Sequence, residues 1–190
     1  MKQVVWIFIS LLVFSGSSKA QKQTADTNMQ SDGKILVAYF SCTGTTEKVA
    51  EAIARVVGGK LYRITPGKPY NPVDLNWNDK SSRSSMEMAD ESSRPALGGE
   101  EIELKEYNVV FLGYPIWWNL CPRLVNTFLE EYDFSAKTVI PFATSGSSSI
   151  TNSVKQLKKL YPKITWKEGR LCNGSIKQAE DWAKHVIEKL

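Results

Sequence analysis

Ile35-Leu36-Val37-Ala38-Tyr39-Phe40-Ser41-Cys42-Thr43-Gly44-Thr45-Thr46-Glu47-Lys48-Val49-Ala50 joins an apolar run of strand length to a loop of hydroxyls and one glycine, and then to a helical pattern. Apolar residues recur at Val49, Ile53, Val56 and Val57, the spacing of one helical face, until Gly58-Gly59 ends it. The loop therefore lies at a helix N-terminus. Backbone N–H groups without intrahelical partners, together with the positive end of the helix dipole, hold an anion there without a cationic side chain. Ser41, Thr43, Thr45 and Thr46 add hydroxyls.

The kind of anion is narrowed by what the loop lacks. A nucleoside triphosphate loop places a lysine after a glycine, and no Gly-Lys-Ser or Gly-Lys-Thr occurs in the chain. A dinucleotide turn needs three glycines for close approach of the backbone to a pyrophosphate, whereas this loop has Gly44 alone. A phosphate monoester fits better. A cysteine phosphatase would use Cys42 as the attacking thiolate and an arginine clamp near position 48, but Lys48 offers a point charge and no bidentate fork. Cys42 as a small loop residue is the simpler reading.

Two later segments follow apolar strands in the same way. They are Val109-Val110-Phe111-Leu112-Gly113-Tyr114-Pro115-Ile116-Trp117-Trp118-Asn119 and Val139-Ile140-Pro141-Phe142-Ala143-Thr144-Ser145-Gly146-Ser147-Ser148-Ser149. With Tyr39 to Thr46 they resemble the three FMN loops of the flavodoxin family, in the same order and each at a strand end. The resemblance runs from about residue 33 to the C-terminus. It implies a flavodoxin-like α/β fold, a three-layer doubly wound five-stranded parallel sheet with strand order 2-1-3-4-5, and FMN as cofactor. Carried over residue by residue, the cofactor-binding set is Ser41, Cys42, Thr43, Gly44, Thr45 and Thr46 in the first loop. Tyr114, Pro115, Ile116, Trp117 and Trp118 form the second, and Thr144, Ser145, Gly146, Ser147 and Ser148 the third. The aromatic run offers a flat apolar wall, with one tryptophan expected to stack on the ring and the other to pack. The serine-rich loop either caps a helix or meets the polar edge of the ring, and the two roles are compatible.

The first twenty residues carry Lys2, an apolar core from Val4 to Phe14 and a small-residue stretch ending at Ala20. They read as a signal peptide, too short in its apolar run for the roughly 20 residues of a membrane span. Residues 21–32 are polar and aperiodic and read as a tether, leaving 33–190 as one domain. Export, to the periplasm, is the expected location, with no stable membrane anchor. Removing residues 1–20 leaves 22 basic against 20 acidic residues, so neither an acidic docking face nor a nucleic-acid surface is indicated. Cys42, Cys121 and Cys172 are odd in number and lack Cys-x-x-Cys spacing, so no metal centre is expected.

Further strands are expected at 60–64, 108–113, 137–143 and 167–172. Amphipathic helices lie between them: Leu124, Val125, Phe128 and Leu129 line one, and Ile150, Val154, Leu157 and Tyr161 another. The last opens on a capping box, Ser175 with Gln178, and carries Ile176, Ala179, Trp182, Val186 and Leu190 as its stripe. Such a sheet binds ligands beyond its strand C-terminal ends, at the point where strand order reverses. The stretch 65–106 is unusually long for a connection; it is expected to fold over the cofactor edge, with a helix in 79–94, and packing is the favoured role for Trp77. No acid–base or nucleophilic arrangement presents itself, since the sole histidine, His185, falls late in the terminal helix. Three functions remain: an electron carrier between redox partners, an FMN-dependent NAD(P)H:quinone or small-acceptor oxidoreductase, and a binding module on the same scaffold without flavin.

Overall fold

The opening run forms β1 (Lys34–Tyr39) and α1 (Thr45–Val57) in the computed structural model, which describes residues 34–190. The signal peptide and tether expected at 1–32 lie outside the described residues. A left-handed Gly58, at φ 65°, ends α1 as the sequence indicates. After β2 (Lys60–Arg63) the chain makes a small ladder, β3 (Thr65–Pro66) with β4 (Leu97–Gly98), around α2 (Arg83–Ala89). Next come β5 (Tyr107–Pro115), α3 (Arg123–Glu131), β6 (Thr138–Thr144) and α4 (Thr151–Leu160). Two short strands, β7 (Thr165–Trp166) and β8 (Arg170–Leu171), precede α5 (Ile176–Ile187). The main sheet is parallel in the order β2-β1-β5-β6-β7, with β8 also on β6, which is the 2-1-3-4-5 order expected.

Period-two alternation divides the core between two faces. Leu36, Ala38, Val110, Leu112 and Tyr114 pack with Leu124, Phe128, Val154 and Leu157 of α3 and α4. Ile35, Val37, Tyr39, Phe111, Ile140 and Phe142 pack with Val49, Ile53 and Ala179 of α1 and α5. Each fully buried Val, Leu, Ile or Phe contributes roughly 1.5–3 kcal/mol, so both layers hold the strand ends in register. Gly113 is required on the second face, because a Cβ there would stand 2.2 Å from Cζ of Phe142.

The fifth strand, expected as one element at 167–172, is broken. Val139 pairs with Trp166 and Phe142 with Arg170, so two residues of β6 face three edge residues. The carbonyls of Val139 and Ala143 accept from the N–H groups of Lys167 (2.9 Å) and Cys172 (2.7 Å), which places Pro141 on this same side. Proline has no N–H to give, and the edge bulges at the missing donor. The α5 stripe also shifts: Ile176 and Leu190 are exposed, and Ala179 and Ala183 are the buried positions. Ser175 accepts from the N–H of Gln178, completing the expected cap on one side.

Candidate functional site

Three loops leave the strand C-terminal ends where order reverses between β1 and β5, and they line one cavity of about 630 Å³. In the first, the Gly44 N–H donates to Ser41 Oγ at 3.1 Å, closing a turn that needs the left-handed φ of +84° at Gly44. Gly44 occupies the N-cap of α1 and supplies no side-chain cap. Among the described residues, the amides of Thr45, Thr46 and Glu47 therefore meet no acceptor. Ser82 and Ser175, by contrast, cap α2 and α5 with their hydroxyls. Below the loop, Thr46 Oγ1 and Thr144 Oγ1 share a buried hydrogen bond of 2.8 Å that ties the first loop to the third.

The second loop turns on two residues. Trp117 and Leu120 exchange backbone hydrogen bonds of 3.0 and 2.9 Å, with Trp118 at φ 46° and Asn119 at φ 62° between them. Both central residues are left-handed, the geometry of a primed turn, which costs about 1–2 kcal/mol at a residue such as tryptophan. The turn separates the two tryptophans. Trp117 points inward, its ring 5.7 Å from Phe40 and 5.5 Å from Tyr70, both edge-on. Trp118 stands exposed at the rim of the cavity.

Among the third loop's hydroxyls, that of Ser145 serves the loop itself. Ser145 Oγ accepts from the N–H groups of Ser148 (2.8 Å) and Ser147 (3.3 Å), and Asn173 brackets the Ser145 backbone. The third loop's hydroxyls do not cap the following helix, since Ile150 is the N-cap of α4 and makes no side-chain cap bond.

Fourteen of the sixteen residues expected from sequence line the cavity: Ser41, Cys42, Thr43, Thr45, Thr46, Pro115, Ile116, Trp117, Trp118, Thr144, Ser145, Gly146, Ser147 and Ser148. Gly44 is the turn residue among them without being part of the lining. Tyr114 is a correction: strand alternation sends its ring into the α3–α4 core, where its hydroxyl pairs with Ser153 Oγ at 3.1 Å.

Sequence reasoning missed Leu75, Ser84 and Asn173 in the wall, and the packing role expected of Trp77 is overturned by its exposure at the cavity. Leu75, Trp77 and Ser84 belong to the 65–106 stretch, which is built from side-chain-to-backbone turns at Asn71, Asp74, Asn76 and Asp79. That Asn/Asp density was the available signal. The stretch docks on the wall through Tyr70, whose ring lies under the Arg83 guanidinium at 3.9 Å and whose hydroxyl donates to Glu87. Ser84 is buried, and its hydroxyl has no partner among the described residues.

Burial pushes the Cys42 thiol up to about 11, against the pull of Arg63 and Arg83, so it is not a thiolate at neutral pH. A phosphatase-type attack is therefore disfavoured. Burial and a hydrogen bond to Glu47 push Tyr39 up to about 12. What the site offers is uncapped helix amides, hydroxyls and a flat apolar wall. Those features suit a phosphate ester carrying a flat ring, and the cavity lies within the roughly 300–1,000 Å³ usual for small-molecule sites.

The family model described as Flavodoxin matches residues 34–189. A solved structure designated a flavoprotein, from Bacteroides eggerthii DSM 20697, is 53% identical over 82% of this chain and 98% of that one, with a TM-score of 0.77. A second, from Bacteroides uniformis ATCC 8492, is 56% identical over 80% and 98%, with a TM-score of 0.78. The flavoprotein of Lactobacillus acidophilus NCFM, solved in complex with FMN, shares the fold at 18% identity over 80% and 99%, with a TM-score of 0.63. No curated protein sequence matches the chain.

Proposed function

The chain belongs to the flavodoxin family, and on that premise we propose that its cavity holds FMN and that the protein carries electrons between redox partners. One observation supports this reading above the others: α1 begins without a side-chain cap at the point where three strand-end loops converge on one cavity. The α1 amides and the hydroxyls of Ser41, Thr43, Thr45 and Thr46 take the phosphate. Pro115, Ile116 and Trp118 flank the ring and keep water from its face, Trp117 braces that wall from behind, and the 145–148 loop meets the polar edge. When bound, FMN supplies one- or two-electron exchange. The signal-peptide reading of residues 1–20 supports an exported, periplasmic protein.

A second reading, an FMN-dependent NAD(P)H:quinone or small-acceptor oxidoreductase, is favoured by Leu75, Trp77 and Ser84, which extend the wall beyond the three loops. A pocket walled on this side suits a small acceptor as well as a protein surface.

Titration of the purified, flavin-free protein with FMN and with riboflavin tests the cofactor. Tight FMN binding with much weaker riboflavin binding is expected, and binding of neither overturns both redox readings. Incubating the FMN-loaded protein with NAD(P)H and a quinone then separates them, since turnover selects the oxidoreductase and its absence the carrier. An N-terminus at Gln21 in the exported fraction is expected if the leader is cleaved, and a retained Met1 overturns the location.

A further inference from the structure

Glu47 sets a carboxylate in the first turn of α1, beside the cradle. Its Oε2 lies 4.0 Å from where a Cβ on Gly44 would stand. A negative charge there works against a phosphate that the helix end attracts. Two side chains converge on it. The Tyr39 hydroxyl donates to Glu47 Oε1 at 2.6 Å, and an Arg63 terminal nitrogen donates to the same oxygen at 2.8 Å. The other terminal nitrogen of Arg63 donates to the carbonyl of Ser41 at 3.1 Å. Arg63 is the last residue of β2 and pairs with Tyr39, the last of β1, so the sheet itself aims the guanidinium at the loop.

The second contact has a geometric consequence. A trans peptide points its C=O and the following N–H in opposite directions, so a Ser41 carbonyl held by Arg63 turns the Cys42 N–H to the far side. Only a planar fork reaches the carboxylate and the carbonyl together; a lysine ammonium acts as one point charge. Arg63 and Glu47 do not line the cavity, so their action on a ligand there runs through the loop and the field.

Resting on the FMN reading, we propose that Arg63 is a positioning residue for the phosphate, which offsets the Glu47 charge and fixes the Ser41–Cys42 peptide so that the loop selects phosphorylated over unphosphorylated flavin. FMN and riboflavin titrations of the full chain test it with Arg63→Ala, Glu47→Gln and the double variant. Arg63→Ala is expected to weaken FMN on the order of tenfold, at charge separations of several ångströms in a partly exposed site, with riboflavin unchanged. Raising ionic strength shrinks that loss, because salt screens the uncovered carboxylate. Adding Glu47→Gln recovers most of it. Arg63→Lys, which keeps the charge and loses the fork, falls between and remains informative if the alanine variant does not fold. Equal weakening of both flavins, or an FMN preference untouched in both Arg63 variants, overturns the role of Arg63 while leaving the cofactor reading in place. A wild-type protein that binds neither flavin removes the cofactor reading and this inference together.

Discussion

Thr46 and Thr144 are 1% and 5% exposed and share a hydrogen bond, whereas Trp77 and Trp118, which line the same cavity, are 72% and 47% exposed. The cradle is an extension of the core: its polar groups are fixed by strand ends, by a helix start and by each other. The rim is aromatic surface held on turns. The contrast teaches that, on the proposed function, affinity for the phosphate and the encounter with a redox partner would be built separately. Changes in the cradle should reach stability and phosphate recognition, and changes at the rim should reach neither.

The steepest test lies just beneath the cradle. Gly113→Ala puts a methyl into the Phe142 ring and is expected to cost about 3 kcal/mol, read as a fall of roughly 6–12 °C in thermal midpoint. A variant as stable as wild type would mean that the sheet behind the site yields, and the contrast with the rim would weaken. Next in size is Thr46→Val, which strands the buried Thr144 hydroxyl at a cost of about 1–3 kcal/mol. Thr46→Val with Thr144→Val should recover most of that stability while FMN binding stays impaired relative to riboflavin. A double variant no better than the single would show that the pair is not an isolated contact.

At the rim, Trp118→Ala is expected to weaken FMN and riboflavin in parallel by about 1 kcal/mol, as loss of one aromatic contact should, with the thermal midpoint unmoved. Loss of FMN binding alone would assign Trp118 to the cradle and break the division. The smallest effect belongs to Gly146→Ala. Among the described residues, no atom beyond the two chain neighbours lies within 4 Å of the added methyl, and stability should stay within about 0.5 kcal/mol in a denaturant titration.

Much of this site was legible because its signals are local. The hydroxyl loop before a helical pattern, the capping Ser175 and the glycine stop at Gly58 each act within a few residues. Tyr114 was misplaced although the same period-two rule that paired Leu112 with the core also carries Tyr114 inward. The broken edge at Pro141 could not be read from the edge strand, since the missing donor lies on its neighbour. The 65–106 wall escaped for a related reason. Asx turns are recognisable one at a time, but the docking of Tyr70 on Trp117 joins residues 47 positions apart.

The sequence by itself determined the parallel α/β architecture, the phosphate-type loop at the start of α1 and the aromatic and serine-rich loops that accompany it, because strand and helix periodicities and turn chemistry are properties of neighbouring residues. Tertiary structure alone decided that Trp117 packs while Trp118 stands at the rim, that Leu75, Trp77 and Ser84 complete the wall, and that Arg63 reaches both Glu47 and the Ser41 carbonyl. Those arrangements depend on which distant elements the core brings side by side, and burial of apolar side chains on both faces of one sheet fixes that outcome.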